Sequence, residues 1–374
     1  MKDSNETSWI APEGARRAKS ALAVSLSFLI LLTGIAVVSW KGFGFYMDWR
    51  QQDDYIGSGE EPIEFIVNPG EGWAIVADSL VAADVIRDPS LFEREALRLN
   101  DGPQPGTWKL LTKLPARTAA ELLNDRANQV YIKFTVKEGT RVADIFPLMI
   151  EELGMTQEQI DESMEKVMED PTQINVKVAI KDRLEGVLFP DTYLLYPPMD
   201  TEDPAGVLSR MALQFNTVLK ELEFEKKAQE LGISTYDAVI VASIIEAEVN
   251  RDEYRAQVAQ VIYNRLDRGM KLQMDTTVNY GMNRSGYANL DNAALQTDTP
   301  YNSYLHEGLP PTPISLPGKK ALEAAVNPVH NNYLYWVTVN LETGETRFAE
   351  NDSQHQANVR VYQQWCRANP DICK

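Results

Sequence analysis

From Ala238 to Ile245 the chain reads AVIVASII, and at helical spacing Ala238, Val239, Ile240, Val241, Ala242, Ile244 and Ile245 leave no polar face. A helix of this composition has to be surrounded by protein, so the rest of the chain must supply elements on every side of it. Ser234 or Thr235 stands where such a helix is capped. The run ends in two carboxylates, Glu246 and Glu248, with Ala247 between them. Residues two apart on a helix point about 200° away from each other, so the two cannot cooperate as a pair. A carboxyl at the end of a buried helix loses hydration, which raises its pKa toward the range a general acid needs. Glu246, the first charge after the apolar run, is the candidate. The opposing reading makes it the start of a solvated surface shared with Glu248, Asn250, Arg251 and Asp252.

The amino-terminal region sets the compartment. Ala21 to Trp40 carries no charge, and its length matches the roughly 20 residues that cross a hydrocarbon core. Arg16, Arg17 and Lys19 precede it, and Phe43, Phe45, Tyr46 and Trp49 follow as an interfacial aromatic belt. The positive-inside bias makes residues 1–20 a cytoplasmic tail, 21–40 a single transmembrane helix, and puts everything after Lys41 outside. A cleaved signal peptide competes, with Val37 and Ser39 small enough for a processing site, although such apolar regions usually run only about 7–15 residues. Either way the bulk of the protein is exported.

The charge balance is 36 basic against 54 acidic residues, a net of -18, which repels polyanions and argues against a nucleic-acid partner. Cys366 and Cys373 have no histidine at metal-ligand spacing, and His306, His330 and His355 are far apart in sequence, so neither a metal nor another cofactor is expected. The two cysteines either close a small loop at the tail or stand as free thiols.

After a polar linker over 41–62, IEFIV reads as a strand, WAIVADSLVAADVI and SLFEREALRL as amphipathic helices, and GTWKLL as a second strand. This strand-helix-helix-strand order over 63–132 resembles the LysM-like module, a glycan-contacting fold; a plain spacer is the alternative. FTVKEGTRVADIF weakly echoes FIVNPGEGWAIVAD, and TQEQIDESMEKV reads as a solvated helix begun by Thr156. LEGVLFPDTYLLYPP suits an extended segment at a core edge. One long helix is expected over GVLSRMALQFNTVLKELEFEKKAQELG, ahead of the buried helix. The fold class is α+β, with residues 133–374 as one domain.

Beyond the two glutamates, EYRAQVAQVIYNRLDRGM reads as an amphipathic helix stopped at Gly269. Prolines 310, 311, 313 and 317 make a stiff wall, while Gln273, Asp275, Tyr301, Asn302 and Tyr304 offer hydrogen-bonding and stacking groups that suit a sugar. Six segments in order, LEGVLFPDTY, ASIIEAE, VAQVIYNRL, GMKLQMDTTVNYG, YNSYLHEGLPPTPI and AAVNP with YLYWV, resemble the endolytic murein transglycosylases of the MltG-like (YceG-like) family over roughly Leu184 to Phe348. The resemblance implies a lytic transglycosylase that cuts peptidoglycan strands internally, with Glu246 as catalytic acid and base and Gln273, Asp275, Thr277, Tyr301, Asn302 and Tyr304 as substrate contacts. It also implies an inner-membrane location and membrane-bound peptidoglycan synthases as partners. Departures from the family pattern fall at Thr276, where proline is expected, at Val187 in place of tyrosine, at Thr312 in place of glycine, and in SQHQ, which keeps His355. A glycoside hydrolase pairing Glu246 with Asp275 and a non-catalytic wall-binding scaffold are the rival readings.

Overall fold

The computed structural model describes residues 54–100, 102–169, 184–197, 200, 204–284 and 290–373. The span expected over 21–40, its cytoplasmic tail and most of the linker lie outside the described residues. The chain divides into two compact units, one ending at Gln129 and one beginning at Val130.

In the first unit, β1 (Pro62–Val67) and β2 (Gly106–Leu111) pair antiparallel, Pro62 opposite Leu111 and Val67 opposite Gly106. Two helices, α1 (Trp73–Ala82) and α2 (Pro89–Leu99), lie between them in sequence, and α3 (Ala116–Asn124) follows. Asp88 starts α2 by accepting from the Ser90 and Leu91 amides, with Pro89 at the first helical position, where its missing N–H costs nothing. The core is built on Trp108, Phe92, Leu80 and Leu123, and Trp73 meets Phe92 edge to face at 5.7 Å.

The second unit is mixed α and β, consistent with an α+β class. It opens with β3 (Ile132–Thr135), α4 (Val142–Leu153) and α5 (Gln157–Glu169), and β4 (Thr192–Leu195) returns antiparallel to β3. The long helix expected next is two, α6 (Pro204–Glu221) and α7 (Phe224–Glu230), because Glu223 takes a left-handed φ of 50° between them. At the centre is α8 (Thr235–Glu248), capped by the Ser234 hydroxyl, which accepts the Asp237 amide at 3.0 Å. Every residue from Ala238 to Ile245 is buried. Helices α9 (Asp252–Asp267) and α12 (Lys319–Val326) pack on α8, with the short α10 (Asp275–Gly281) and α11 (Asn292–Gln296) between them in sequence. The hairpin of β5 (Tyr335–Asn340) and β6 (Glu345–Ala349) is backed by α13 (Asp352–Ala368), at whose end Cys366 and Cys373 are disulfide-bonded.

The polar interruption in the apolar run is where the proline wall docks. The Ser243 hydroxyl accepts the Ile314 amide at 3.0 Å, and the Ser243 carbonyl accepts the Ser315 hydroxyl at 3.1 Å. Leu316 then exchanges backbone hydrogen bonds with the turn after β3, donating to Thr140 and accepting from Gly139. Gly186 is held against the same wall at φ 80°, and a Cβ there would stand 2.4 Å from Pro313 and 3.3 Å from Val239. Gly186→Ala should therefore lower stability by about 1–3 kcal/mol through strain and overlap. Urea unfolding reads this directly, and an unchanged midpoint would contradict the packing described.

Candidate active site

The two glutamates that close α8 have separate partners. Glu246 accepts from both terminal nitrogens of Arg255 at 3.0 Å and from the Gly318 amide at 3.0 Å, and both charged side chains are only 7% exposed. Arg255 also donates to Asp252 at 3.1 Å. All three groups on Glu246 are hydrogen-bond donors. Glu138 lies alongside, its pKa raised by burial and by the charge of Glu246. Its carboxyl covers Gly318 so closely that a Cβ there would overlap it. Glu246 thus ties α8, α9 and the start of α12 together, and losing one partner of such a buried pair typically costs about 3–5 kcal/mol.

Glu248 faces α10. Its Oε1 accepts the Thr276 hydroxyl at 2.6 Å, and the Thr276 amide donates to it as well. The residue keeps some exposure while its carboxyl group is enclosed by protein. Burial is the largest influence on that carboxyl and raises its pKa; the neighbouring Asp275 charge raises it too, and the two Thr276 donors oppose them. Glu248 is thus an enclosed carboxyl at the end of the buried helix whose pKa burial raises. The two-residue spacing predicts divergent directions but not which direction leads to the sugar-suited loops.

Those loops are held by the remaining motif residues. Asp275 is exposed and accepts the Tyr304 hydroxyl at 2.7 Å. Tyr304 is half-buried, and burial together with that bond holds its hydroxyl proton well above the usual range. Gln273 is exposed, with a left-handed φ of 51° fixed by its amide bond to the Ser303 carbonyl at 3.1 Å. Ser303 also accepts the Met274 amide at 2.9 Å and meets the Thr277 hydroxyl at 2.8 Å.

Three of the expected substrate contacts are turned into the protein. Thr277 is fully buried between Ser303 and the Met274 carbonyl. Asn302 is fully buried, donating to the Leu295 and Thr297 carbonyls and accepting the Tyr304 amide. Tyr301 bonds the Thr312 hydroxyl at 2.8 Å and packs on Tyr280 at 4.9 Å. Their polar groups are occupied internally, so they frame the loops, leaving Gln273, Asp275 and Tyr304 on the open side.

Sequence reasoning missed Arg255, Ser303 and Thr276 as parts of this arrangement. Thr276 carried a signal, since a proline there has neither the hydroxyl nor the amide that Glu248 uses. Among the described residues, no group of three His, Cys, Asp or Glu side chains could hold a metal ion. The arrangement offers, in Glu248, an enclosed carboxyl with a raised pKa, and an exposed carboxylate, a phenol and an amide beside it.

Known proteins match this chain over most of its length. An endolytic murein transglycosylase of Bacillus subtilis is 30% identical over 308 residues, which is 78% of this chain and 82% of that protein. One from Streptococcus pneumoniae strain D39 is 24% identical over 363 residues, 90% of this chain but only 64% of the longer streptococcal protein. The crystal structure of a yceG-like protein from Listeria monocytogenes shares the fold, with a TM-score of 0.54 at 24% identity over 80% of this chain and 99% of that one. The sequence model of the YceG-like family matches residues 65–361, and the chain belongs to that family.

Proposed function

We propose that this protein is an endolytic lytic transglycosylase of peptidoglycan, cutting the β-1,4 bond between N-acetylmuramic acid and N-acetylglucosamine with Glu248 as general acid and base. The observation that carries the assignment within the site is the enclosed Glu248 carboxyl, its pKa raised by burial, beside Asp275 and Tyr304. The names of the bacillary and streptococcal relatives support the reaction and the murein substrate.

Protonated Glu248 gives its proton to the leaving glycosidic oxygen as the bond to muramic C1 breaks. The muramic C6 hydroxyl closes on C1, and its proton returns to Glu248. No water is consumed, and the product end is a 1,6-anhydro ring. Gln273, Asp275 and Tyr304 supply sugar contacts. The reading extends to the rest of the chain: residues 21–40 anchor it in the inner membrane with its bulk outside, the 63–132 module contacts glycan, and membrane-bound peptidoglycan synthases work beside it. The uncharged apolar run and the basic residues before it support the anchor.

A hydrolytic reading has one observation in its favour, since Asp275 is close enough to Glu248 for its charge to be felt there. Product analysis separates the two. Uncrosslinked glycan strands digested in ¹⁸O-water should give anhydro-muramic ends without label, whereas labelled reducing ends would establish hydrolysis. Strands left uncut would leave a wall-binding scaffold.

The pH dependence follows from which form of Glu248 acts. The acid form is required, so the rate should fall as pH rises through its raised pKa. Thr276→Ala removes a hydrogen bond that favours the ionised form, and its pH-rate profile should show the falling limb displaced to higher pH. A limb that stays in place or moves to lower pH would count against Glu248 as the acid.

A further inference from the structure

The LEGVLFPDTY segment contributes nothing to the reaction above, yet its Glu185 is a buried carboxyl in the wall of a cleft. This cleft, about 430 Å³, lies between the start of α4, α5 and the end of α10. Glu185 forms part of its wall and is 5% exposed. One oxygen accepts the Val142 amide and the other the Tyr280 hydroxyl, each at 3.1 Å, which leaves about half of the four acceptor positions of a carboxylate open. Burial raises its pKa to about 7, against those two bonds and the charge of Arg141, while Asp144 raises it further. A cation entering the cleft would favour the ionised form.

The rest of the lining is complementary. The Arg141 guanidinium lies 5.1 Å from the Tyr280 ring centre and, among the described residues, has no ion-pair partner. Phe146, Tyr280 and Tyr301 supply apolar wall, and Asn283 an amide. An enclosed carboxyl, an apolar wall and a guanidinium with no ion pair among the described residues match a side chain that ends in both an ammonium and a carboxylate.

Position decides which molecule brings such a group. Helix α10 carries Asp275 and Thr276 at one end and Tyr280 at the other, a rise of roughly 8 Å at 1.5 Å per residue. A stem peptide hanging from muramic acid reaches about 10 Å at its third residue, and that residue is a diamino acid. Resting on the proposed peptidoglycan substrate, we propose that this cleft binds the amino-carboxylate end of a stem-peptide diamino acid of the diaminopimelate type, with its ammonium on Glu185 and its carboxylate on Arg141.

Titration calorimetry of the full chain in detergent, with sugar-free stem tripeptides, tests this. A tripeptide ending in meso-diaminopimelate should bind at least about tenfold more tightly than one ending in lysine, which lacks the second carboxylate. Arg141→Ala should bring the two affinities together, Arg141→Lys should keep part of the preference, and Glu185→Gln should weaken both peptides. Equal affinities in the wild type, no binding, or a preference that survives Arg141→Ala would overturn the assignment. The wild-type comparison stands even if a variant fails to fold. Cleavage of strands stripped of their stems, run in parallel, tests the lytic reaction alone, so intact cleavage without peptide selectivity overturns only the cleft.

Discussion

The enclosure of α8 is the constraint from which the site follows. A helix with no polar face can be stable only where protein covers it on every side, and here α9, α12 and the proline wall supply that cover. Arg255 of α9 and Gly318, just before α12, reach α8 at the end where its first charges appear. The glutamates therefore emerge into protein rather than water, and their direction around the helix determines what each meets. Glu246 meets a guanidinium and a helix start. Glu248 meets the first turn of a short helix whose next neighbours are exposed polar groups.

Two carboxylates on one turn thereby acquire different surroundings. The two Arg255 donors and the Gly318 amide hold Glu246 in place, which suits an anchor. Among the described residues Glu248 has no ion-pair partner, and its enclosure makes the neutral form easier to reach. This division also gives Thr276 a purpose. Its two donors moderate the effect of burial and of Asp275, so the carboxyl remains able to ionise after giving up its proton.

Much of the architecture was legible in the sequence because it rests on local rules. The strand-helix-helix-strand order of the first unit, the Ser234 cap, the burial of Ala238–Ile245 and the helix after Asp252 follow from periodicity and capping residues. The break at Glu223 was not legible, because a left-handed glutamate leaves no compositional mark. The site was legible as a region, but its internal partners were not. Helical geometry separates Glu246 from Glu248 but contains nothing about Arg255, which lies nine residues on and reaches back from another helix. Asn302 and Thr277 are polar and sit in sugar-suited loops, yet their partners are backbone carbonyls and a serine that only the fold brings near.

In the proposed reaction Glu248, and not Glu246, holds the proton. Cleavage rates of Glu248→Gln and Glu246→Gln on the same uncrosslinked strands, each scaled to the folded fraction from its own unfolding curve, test it most directly. Glu248→Gln should lose about 10²-fold or more in rate with little change in unfolding midpoint. Glu246→Gln should unfold more readily while its folded fraction still cuts. Full cleavage by Glu248→Gln, with a folded but inactive Glu246→Gln, would contradict it.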